Sequence, residues 1–366
     1  MNLLERMKEA GTIKTADAIS RSSFFNMKDV IPTSLPILNV AFSGHLDGGL
    51  IPGLTVFAGE SKCYKTLLAL YCIRAYMDKY PEAICLFYDS EFGVTPAYLK
   101  ANGIDSERML HIPVEHIEQL KFDIVKRLEK INRGDKVFVY IDSLGALASK
   151  KEVDDAIDEK AVSDMTRAKA IRSLLRIITP HLTMKDLPCI VVNHVYKEIG
   201  LYPKTVIPGG TSVTYLANQI FVITRAQEKD GTELMGYNFT IHIEKSRFVR
   251  EKSKLMFTVT FEHGIKQYSG MLDLALEGKF VQNPSMGWYQ KPGGKKVRAV
   301  DTENAEFWND ILRNQEFKTY VQTRFNVAHG DLLGNFSPIT EQVGEEAEES
   351  EVVETPEKRR TKKCRR

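Results

Sequence analysis

The sequence predicts an α/β fold built on a mainly parallel, twisted sheet. Short apolar runs alternate with helical patterns between residues 54 and 224. The runs are continuous rather than alternating, as in strands covered on both faces. The first run leads straight into a turn rich in small and polar residues and then a helical pattern, the local order that holds phosphate.

The elements follow in order. Residues 1–20 read as a short amphipathic helical segment, with Leu3, Leu4 and Met7 at helical spacing. The SSFFN run at 22–26 places Phe24 and Phe25 side by side, and a Gly-rich approach covers 43–53. Residues 54–58 (LTVFA) are the first strand and 65–79 a helix; 83–89 (AICLFYD) are the second strand and 115–132 a helix. Residues 136–142 (KVFVYID) are the third strand. A long amphipathic helix is expected over 158–178, with Val162, Met165, Ile171, Leu174, Leu175 and Ile178 on one face. Residues 189–194 (CIVVNH) and 219–224 (QIFVIT) are the fourth and fifth strands, and beyond 230 two β-rich runs predict a hairpin extending the sheet.

The expected division is an N-terminal segment (1–30), a large α/β core (31–268), a small C-terminal α+β domain (269–335) and a disordered charged tail (336–366). The tail runs from an acidic stretch into KRRTKKCRR and has little to bury.

Whole-chain composition narrows the classes. Fifty Lys and Arg against 48 Asp and Glu give a net charge of +2, so any basic surface must come from local clustering. Five scattered cysteines without metal-ligand spacing predict reduced thiols and a cytoplasmic protein. The first residues, with Glu5 and Glu9, lack the apolar run of a secretory signal, and no stretch is apolar enough to span a bilayer, so no membrane partner is expected.

The chemistry concentrates at strand ends. The segment GESKCYKT supplies Gly59, Glu60, Ser61, Lys62, Cys63, Tyr64, Lys65 and Thr66 between a strand and a helix. Backbone N–H groups there can wrap phosphates, Lys65 can reach the β- and γ-phosphates, and the Thr66 hydroxyl can ligate Mg²⁺. Tyr64 stands where the P-loop pattern has its second Gly, which restricts the dihedrals available. Asp142 ends another strand, where a carboxylate would bind Mg²⁺. Asp89 and Glu91 lie at the tip of a third, where an acid can orient attacking water. Each acid taken singly is also an ordinary turn residue; together, at the carboxyl ends of a parallel sheet, they predict an ATP site.

The blocks YDSEFGVTPAYL, IDSLGALASKKE, KAVSDMTRAKA, PCIVVNHVY, GGT at 209–211 and IEKSRFVREKSK resemble, in that order, the RecA family, and within it the recombinases of T-even-like bacteriophages. The likeness runs from about residue 20 to about 325. It implies a RecA-type P-loop ATPase core. Lys65 and Thr66 keep their phosphate and metal roles, Glu91 matches the catalytic glutamate and Asp142 the Walker B acid. Tyr98 matches the aromatic that stacks on adenine, though a core tyrosine fits it equally. His194 stands where bacterial RecA has a γ-phosphate-sensing Gln. Lys245 and Arg247 match the basic pair that reaches a neighbour's ATP. Two residues apart on a strand, they would point the same way.

The resemblance further implies helical filaments on DNA. Phe24 and Phe25 match the apolar plug between subunits, or else are local core. DNA would meet two loops, at about 151–162 and about 195–209. The first is acidic, but the helix after it brings Arg167, Lys169, Arg172 and Arg176; the second brings Tyr196, Lys197, Tyr202 and Lys204, with Gly209 and Gly210 turning the chain into the next helix. Aromatics among lysines suit a nucleic-acid backbone, and they also suit a plain surface loop. The implied activity is a DNA-dependent ATPase and strand-exchange protein using ATP and Mg²⁺. Its partners would be single- and double-stranded DNA, further copies of itself, a phage single-strand-binding protein and a recombination mediator, in the infected host cytoplasm. A non-catalytic DNA-binding or loader paralogue and a ring-forming helicase share the core and are the alternatives.

Overall fold

The computed structural model describes residues 2–13, 15–22, 29–158, 166–198 and 205–327. Helix α1 (Leu3–Ala10) is capped by the Asn2 side chain, which accepts from the Glu5 N–H at 2.9 Å. Helix α2 (Pro36–Ser43) starts on a proline and ends at Gly44 in the left-handed conformation. The alternating part then runs β1 (Gly53–Gly59), α3 (Lys65–Lys79), β2 (Ile84–Asp89), α4 (Pro96–Ala101), β3 (Met109–Pro113), α5 (Ile117–Lys130) and β4 (Val137–Asp142). It continues through α6 (Lys150–Ile157), α7 (Thr166–Met184), β5 (Pro188–His194), the two-residue strands β6 (Tyr196–Lys197) and β7 (Thr205–Val206), and α8 (Thr211–Leu216). Four strands follow: β8 (Gln219–Asp230), β9 (Glu233–Ser246), β10 (Lys254–Thr260) and β11 (Gly264–Ile265). The C-terminal region holds α9 (Met271–Glu277), β12 (Gln282–Ser285), β13 (Trp288–Gln290), β14 (Lys296–Arg298), α10 (Ala305–Arg313) and α11 (Gln315–Phe325).

One nine-stranded sheet has the order β11-β10-β9-β8-β1-β5-β4-β2-β3. Strands β8, β1, β5, β4, β2 and β3 are parallel, and β9 to β11 extend the sheet antiparallel. Period-two alternation splits β1 between two cores. Leu54, Val56 and Ala58 face the layer of α5 and α7, where Ile124, Leu128, Ile171, Leu174 and Ile178 are fully buried. Phe57 faces the opposite layer, with α2, α3 and the C-terminal helices. There Trp308 stacks on Tyr268 at 6.0 Å, so residues 271–325 share one continuous core with that side of the sheet. Four strand tips come into line at the carboxyl edge, Gly59 beside His194 and Asp89 beside Asp142.

Several expectations change. The expected third strand is the fourth, because β3 precedes it; β3 is short and polar at His111, which hides it from an apolar-run reading. Helix α2 was hidden for the opposite reason, since seven of its eight residues are buried and it has no solvent-exposed polar face to mark a period. About half of the expected acidic loop is α6. Ser149 caps it, accepting from the Glu152 N–H at 3.1 Å, and Lys151 pairs with Asp155 at 2.8 Å one turn on. The long helix is described from Thr166 and runs past Pro180 to Met184, and Val162 and Met165 lie outside the described residues. Phe24, Phe25 and the charged tail also lie outside them.

Helix α7 gives a direct test of the core. Leu174→Ala removes a fully buried side chain and should cost about 3 kcal/mol in urea unfolding. Ile177→Ala, at a residue 38% exposed on the same helix, should stay within about 0.5 kcal/mol. Equal losses would mean that α7 packs in another register.

Candidate active site

The chain leaves β1 at Gly59 and enters α3 through a turn that places Lys62 (φ 62°) and Tyr64 (φ 55°) in left-handed conformations. The turn keeps the geometry a glycine would supply, at some cost in backbone strain. The Tyr64 ring recovers contact by packing edge-on against Phe239, centroids 4.8 Å apart. The turn lines a cavity of about 430 Å³ together with Glu91, Tyr98 and His194. Amides at the start of a helix favour an anion in such a place.

Lys65 is buried, and its Nζ donates to the carbonyls of Gly59 (3.0 Å) and Glu60 (2.8 Å). Burial pulls its pKa below the usual lysine value, against the nearby Cys63, Glu91 and Asp142. Asp142 is also buried. Its Oδ2 accepts from the Thr66 hydroxyl at 2.7 Å and the Tyr140 hydroxyl at 2.5 Å, while Oδ1 is buried without a partner. Burial raises the Asp142 pKa; the two hydroxyls oppose this, and the charges of Glu91 and Asp89 add to it. An unpaired carboxylate oxygen beside a hydroxyl is the hard oxygen environment that Mg²⁺ takes when phosphates and water complete its shell. Among the described residues no group of three or more His, Cys, Asp or Glu forms a metal cage.

Glu91 follows β2. Its Oε1 accepts from the Ser143 hydroxyl and lies 2.7 Å from His194 Nε2, the imidazole N–H donating. Burial pushes the Glu91 carboxyl up, but the bonds from Ser143 and His194 and the charges of His194 and Lys65 outweigh it and hold the pKa below the usual value. Asp89 shapes this loop, its Oδ1 accepting from the N–H groups of Glu91 (3.0 Å) and Phe92 (2.8 Å). Tyr98, on α4, is 38% exposed on the cavity wall. Sequence reading missed two further wall residues. The Arg225 guanidinium lies over the Tyr237 ring at 4.9 Å and donates to the Lys62 carbonyl at 3.5 Å. They come from β8 and β9, where no motif marks them. Ser143 was legible only as the neighbour of Asp142.

The family model for the RecA N-terminal domain matches residues 24–266. The chain belongs to the RecA family. A second family model, the C-terminal domain of the bacteriophage T4 recombination and repair protein, matches residues 268–321. The chain is 46% identical over 337 residues to the recombination and repair protein of Enterobacteria phage T4, covering 89% of this chain and 86% of that protein. It is 27% identical over 307 residues to the RecA protein of Streptomyces avermitilis (81% and 78% covered) and 25% over 313 residues to that of Acinetobacter baylyi (84% and 85%). RecA-family recombinases are generally DNA-dependent ATPases that bind ATP with Mg²⁺.

The structure changes the footing of the remaining RecA-like expectations. Lys245 lies on β9, but β9 ends at Ser246 and Arg247 lies beyond it, exposed, so a shared strand face does not align the pair. Lys245 Nζ instead donates to the carbonyls of Thr214 (2.6 Å), Tyr215 (3.1 Å) and Ala217 (2.7 Å) at the end of α8. On α7, Lys169, Arg172 and Arg176 are exposed, and Arg172 also donates to the Ser212 hydroxyl at 2.7 Å. Arg167 differs: it donates to the carbonyls of Leu147 (2.8 Å) and Gly145 (2.6 Å). Tyr196 is 54% exposed on β6, Lys197 is described by its backbone alone, and Tyr202 and Lys204 lie outside the described residues. Gly209 (φ 100°) and Gly210 (φ 63°) take the positive dihedrals expected of a turn into α8. Among the described residues no helix is long and apolar enough to cross a membrane.

The raised pKa of Asp142 has a stability consequence. A carboxyl whose folded pKa lies above its unfolded value favours folding while protonated, and that contribution is lost as pH rises through the folded value. Asp142→Asn keeps an acceptor for Thr66 and Tyr140 without the charge. At neutral pH and without nucleotide, its Tm should rise on the order of 2 °C, the advantage shrinking as pH falls toward the reference 3.8. The added stabilisation that Mg²⁺ gives in the presence of nucleotide should disappear. Scanning calorimetry across pH checks both, and a lowered Tm at neutral pH contradicts the reading of Asp142 as a strained buried charge.

Proposed function

We propose that this chain is a DNA-dependent ATPase and strand-exchange recombinase. It forms helical filaments on single-stranded DNA, pairs them with homologous duplex, and serves phage recombination, repair and recombination-dependent replication. The supporting observation is a complete set on adjacent strand ends: Lys65 and Thr66 after β1, Glu91 after β2, Asp142 on β4 and His194 on β5. A paralogue that only binds or loads has no need of all five.

In this reading Lys65 exchanges its two loop carbonyls for β- and γ-phosphate oxygens, and residues 59–66 wrap the phosphates. Thr66 and the Asp142 oxygen left without a hydrogen bond would hold Mg²⁺, which would neutralise charge on the phosphates. Glu91 orients the attacking water, and His194 reports the γ-phosphate through the hydrogen bond it already makes to Glu91. Tyr98 stacks on the base. Lys245 and Arg247 complete a neighbour's site, for which Lys245 must leave the end of α8. DNA phosphates meet Lys169, Arg172 and Arg176, with Tyr196, Lys197, Tyr202, Lys204, Gly209 and Gly210 on the second loop; Phe24 and Phe25 join subunits. The division into segments 1–30, 31–268, 269–335 and 336–366 belongs to the same proposal, as do the phage single-strand-binding and mediator partners and the host cytoplasm.

Joint-molecule formation between homologous single-stranded and duplex DNA, with ATP turnover followed alongside, tests the proposal. Glu91→Gln should retain ATP and DNA binding while turnover falls about a hundredfold. Loss of nucleotide binding together with turnover would make Glu91 structural. Arg247→Ala should bind nucleotide as a monomer but lose DNA-stimulated hydrolysis. Mixing it with Lys65→Ala should recover some turnover, since mixed interfaces pair an intact P-loop with an intact cap. No recovery at any ratio, with both variants co-assembled, removes the trans-acting role.

A further inference from the structure

Arg167 stands apart from the cations that share its helix. It sits in the first turn of α7, two residues before Lys169. Its Nε donates to Leu147 O at 2.8 Å and a terminal nitrogen to Gly145 O at 2.6 Å. Its neighbour Thr166 adds a hydroxyl bond to Ser149 at 3.0 Å. The first turn of α7 is thereby fastened to the segment 145–149 at three points.

That segment begins at the catalytic cage. Ser143 donates to Glu91, and the backbone of Ser143 is bound on both sides by Ser90, whose hydroxyl donates to Ser143 O (2.9 Å) and accepts from Ser143 N (3.0 Å). Leu144 N donates to Val192 O at 3.0 Å. Gly145 then lies flat against β5: a β carbon on it would stand 2.6 Å from Asn193 Oδ1, 3.0 Å from His194 N and 3.3 Å from His194 Cδ2. Any shift of Gly145 is therefore felt by His194, which lies 2.7 Å from Glu91. Buried Asn193 donates to Pro208 O at 2.9 Å, which ties the same spot to the end of the second loop.

We propose that Arg167 is a positioning residue that couples the DNA-facing helix α7 to the Glu91–His194 pair, and is not a DNA ligand. Two donors of its fork are held by protein carbonyls and the side chain is part-buried, whereas Lys169, Arg172 and Arg176 on the same helix are exposed. Phosphate drawn to those three moves α7, and Arg167 carries the movement to Gly145 and so to His194. The proposal rests on the recombinase reading, because it concerns DNA-stimulated turnover.

The test compares Arg167→Ala with Arg172→Ala in the full chain. For each, single-stranded DNA affinity is titrated against salt, and kcat and KM for ATP are measured with and without DNA. Arg167→Ala should keep DNA affinity and its salt slope. Its DNA-stimulated kcat should fall about tenfold, with KM for ATP within about twofold. Arg172→Ala should instead weaken DNA binding and lower the salt slope by about one. Should Arg167→Ala fail to fold, Arg167→Lys, which reaches one carbonyl of the two, should lie between wild type and that loss in DNA-stimulated kcat, again at unchanged salt slope. A salt slope lowered in the folded Arg167 variant makes Arg167 a DNA contact and overturns the proposal, as does unchanged stimulation. A wild-type chain without DNA-stimulated turnover sinks the recombinase reading and the coupling with it; stimulated wild type beside an equally stimulated variant sinks the coupling alone.

Discussion

A buried carboxylate with one idle oxygen organises this molecule. Asp142 is 3% exposed, accepts two hydroxyl bonds on Oδ2 and has nothing on Oδ1. Taking a charge out of water is costly unless it is paired, and here the pairing is incomplete within the protein. The charge is tolerable because Thr66 and Tyr140 are aimed at it and because a cation with its phosphates can finish the shell. Lys65 is the complementary case, a buried ammonium resting on carbonyls of its own loop. The two opposite charges are both short of partners in a way a metal–phosphate pair can satisfy.

The precision this needs comes from the sheet. Strand register sets Gly59 against His194 and Asp89 against Asp142, so groups from far apart in sequence share one edge without any loop having to find its place. A slip of one residue in β4 would turn Asp142 to the other face and send Tyr140 with it. The aromatic and aliphatic filling on both faces prevents such a slip: Phe138 and Tyr140 belong to the α3 side, Val139 and Ile141 to the α5–α7 side. Packing and the geometry of the candidate site are thus set by the same alternation.

Much of this was legible in the sequence, for physical reasons. Buried parallel strands are continuous apolar runs, and the acids and the P-loop are placed by where those runs stop, so Lys65, Thr66, Glu91 and Asp142 were found together. Elements without a marked period were not found: α2 is buried nearly all round, its polar Asn39 and Ser43 included, β3 is short and half polar, and α6 was mistaken for loop because its residues are charged. The distinction between Arg167 and Arg172 was also invisible. Both are basic residues on one helical pattern, and only the carbonyls of Gly145 and Leu147 separate the part-buried Arg167 from the exposed Arg172. Arg225 and Tyr237 reach the cavity through antiparallel pairing, which a motif search of the parallel part does not cover.

Helix α7 has the mechanical properties that coupling requires. Ile171, Leu174, Leu175, Ile178 and Leu182 hold one face in the core against α5 and the sheet, and interiors packed at crystal-like density transmit displacement rather than absorb it. A floppy loop carrying the same arginines could bind DNA as well, but it would dissipate the movement before the nucleotide site. With the exposed cations and Arg167 on one packed helix, the proposed coupling has a short, continuous path from Lys169, Arg172 and Arg176 through Arg167 to the Gly145–His194 contact. The same rigidity explains why the P-loop tolerates Tyr64. Its strained φ is held by the ring's contact with Phe239 on the antiparallel extension, so the phosphate turn is braced by the half of the sheet that carries Lys245.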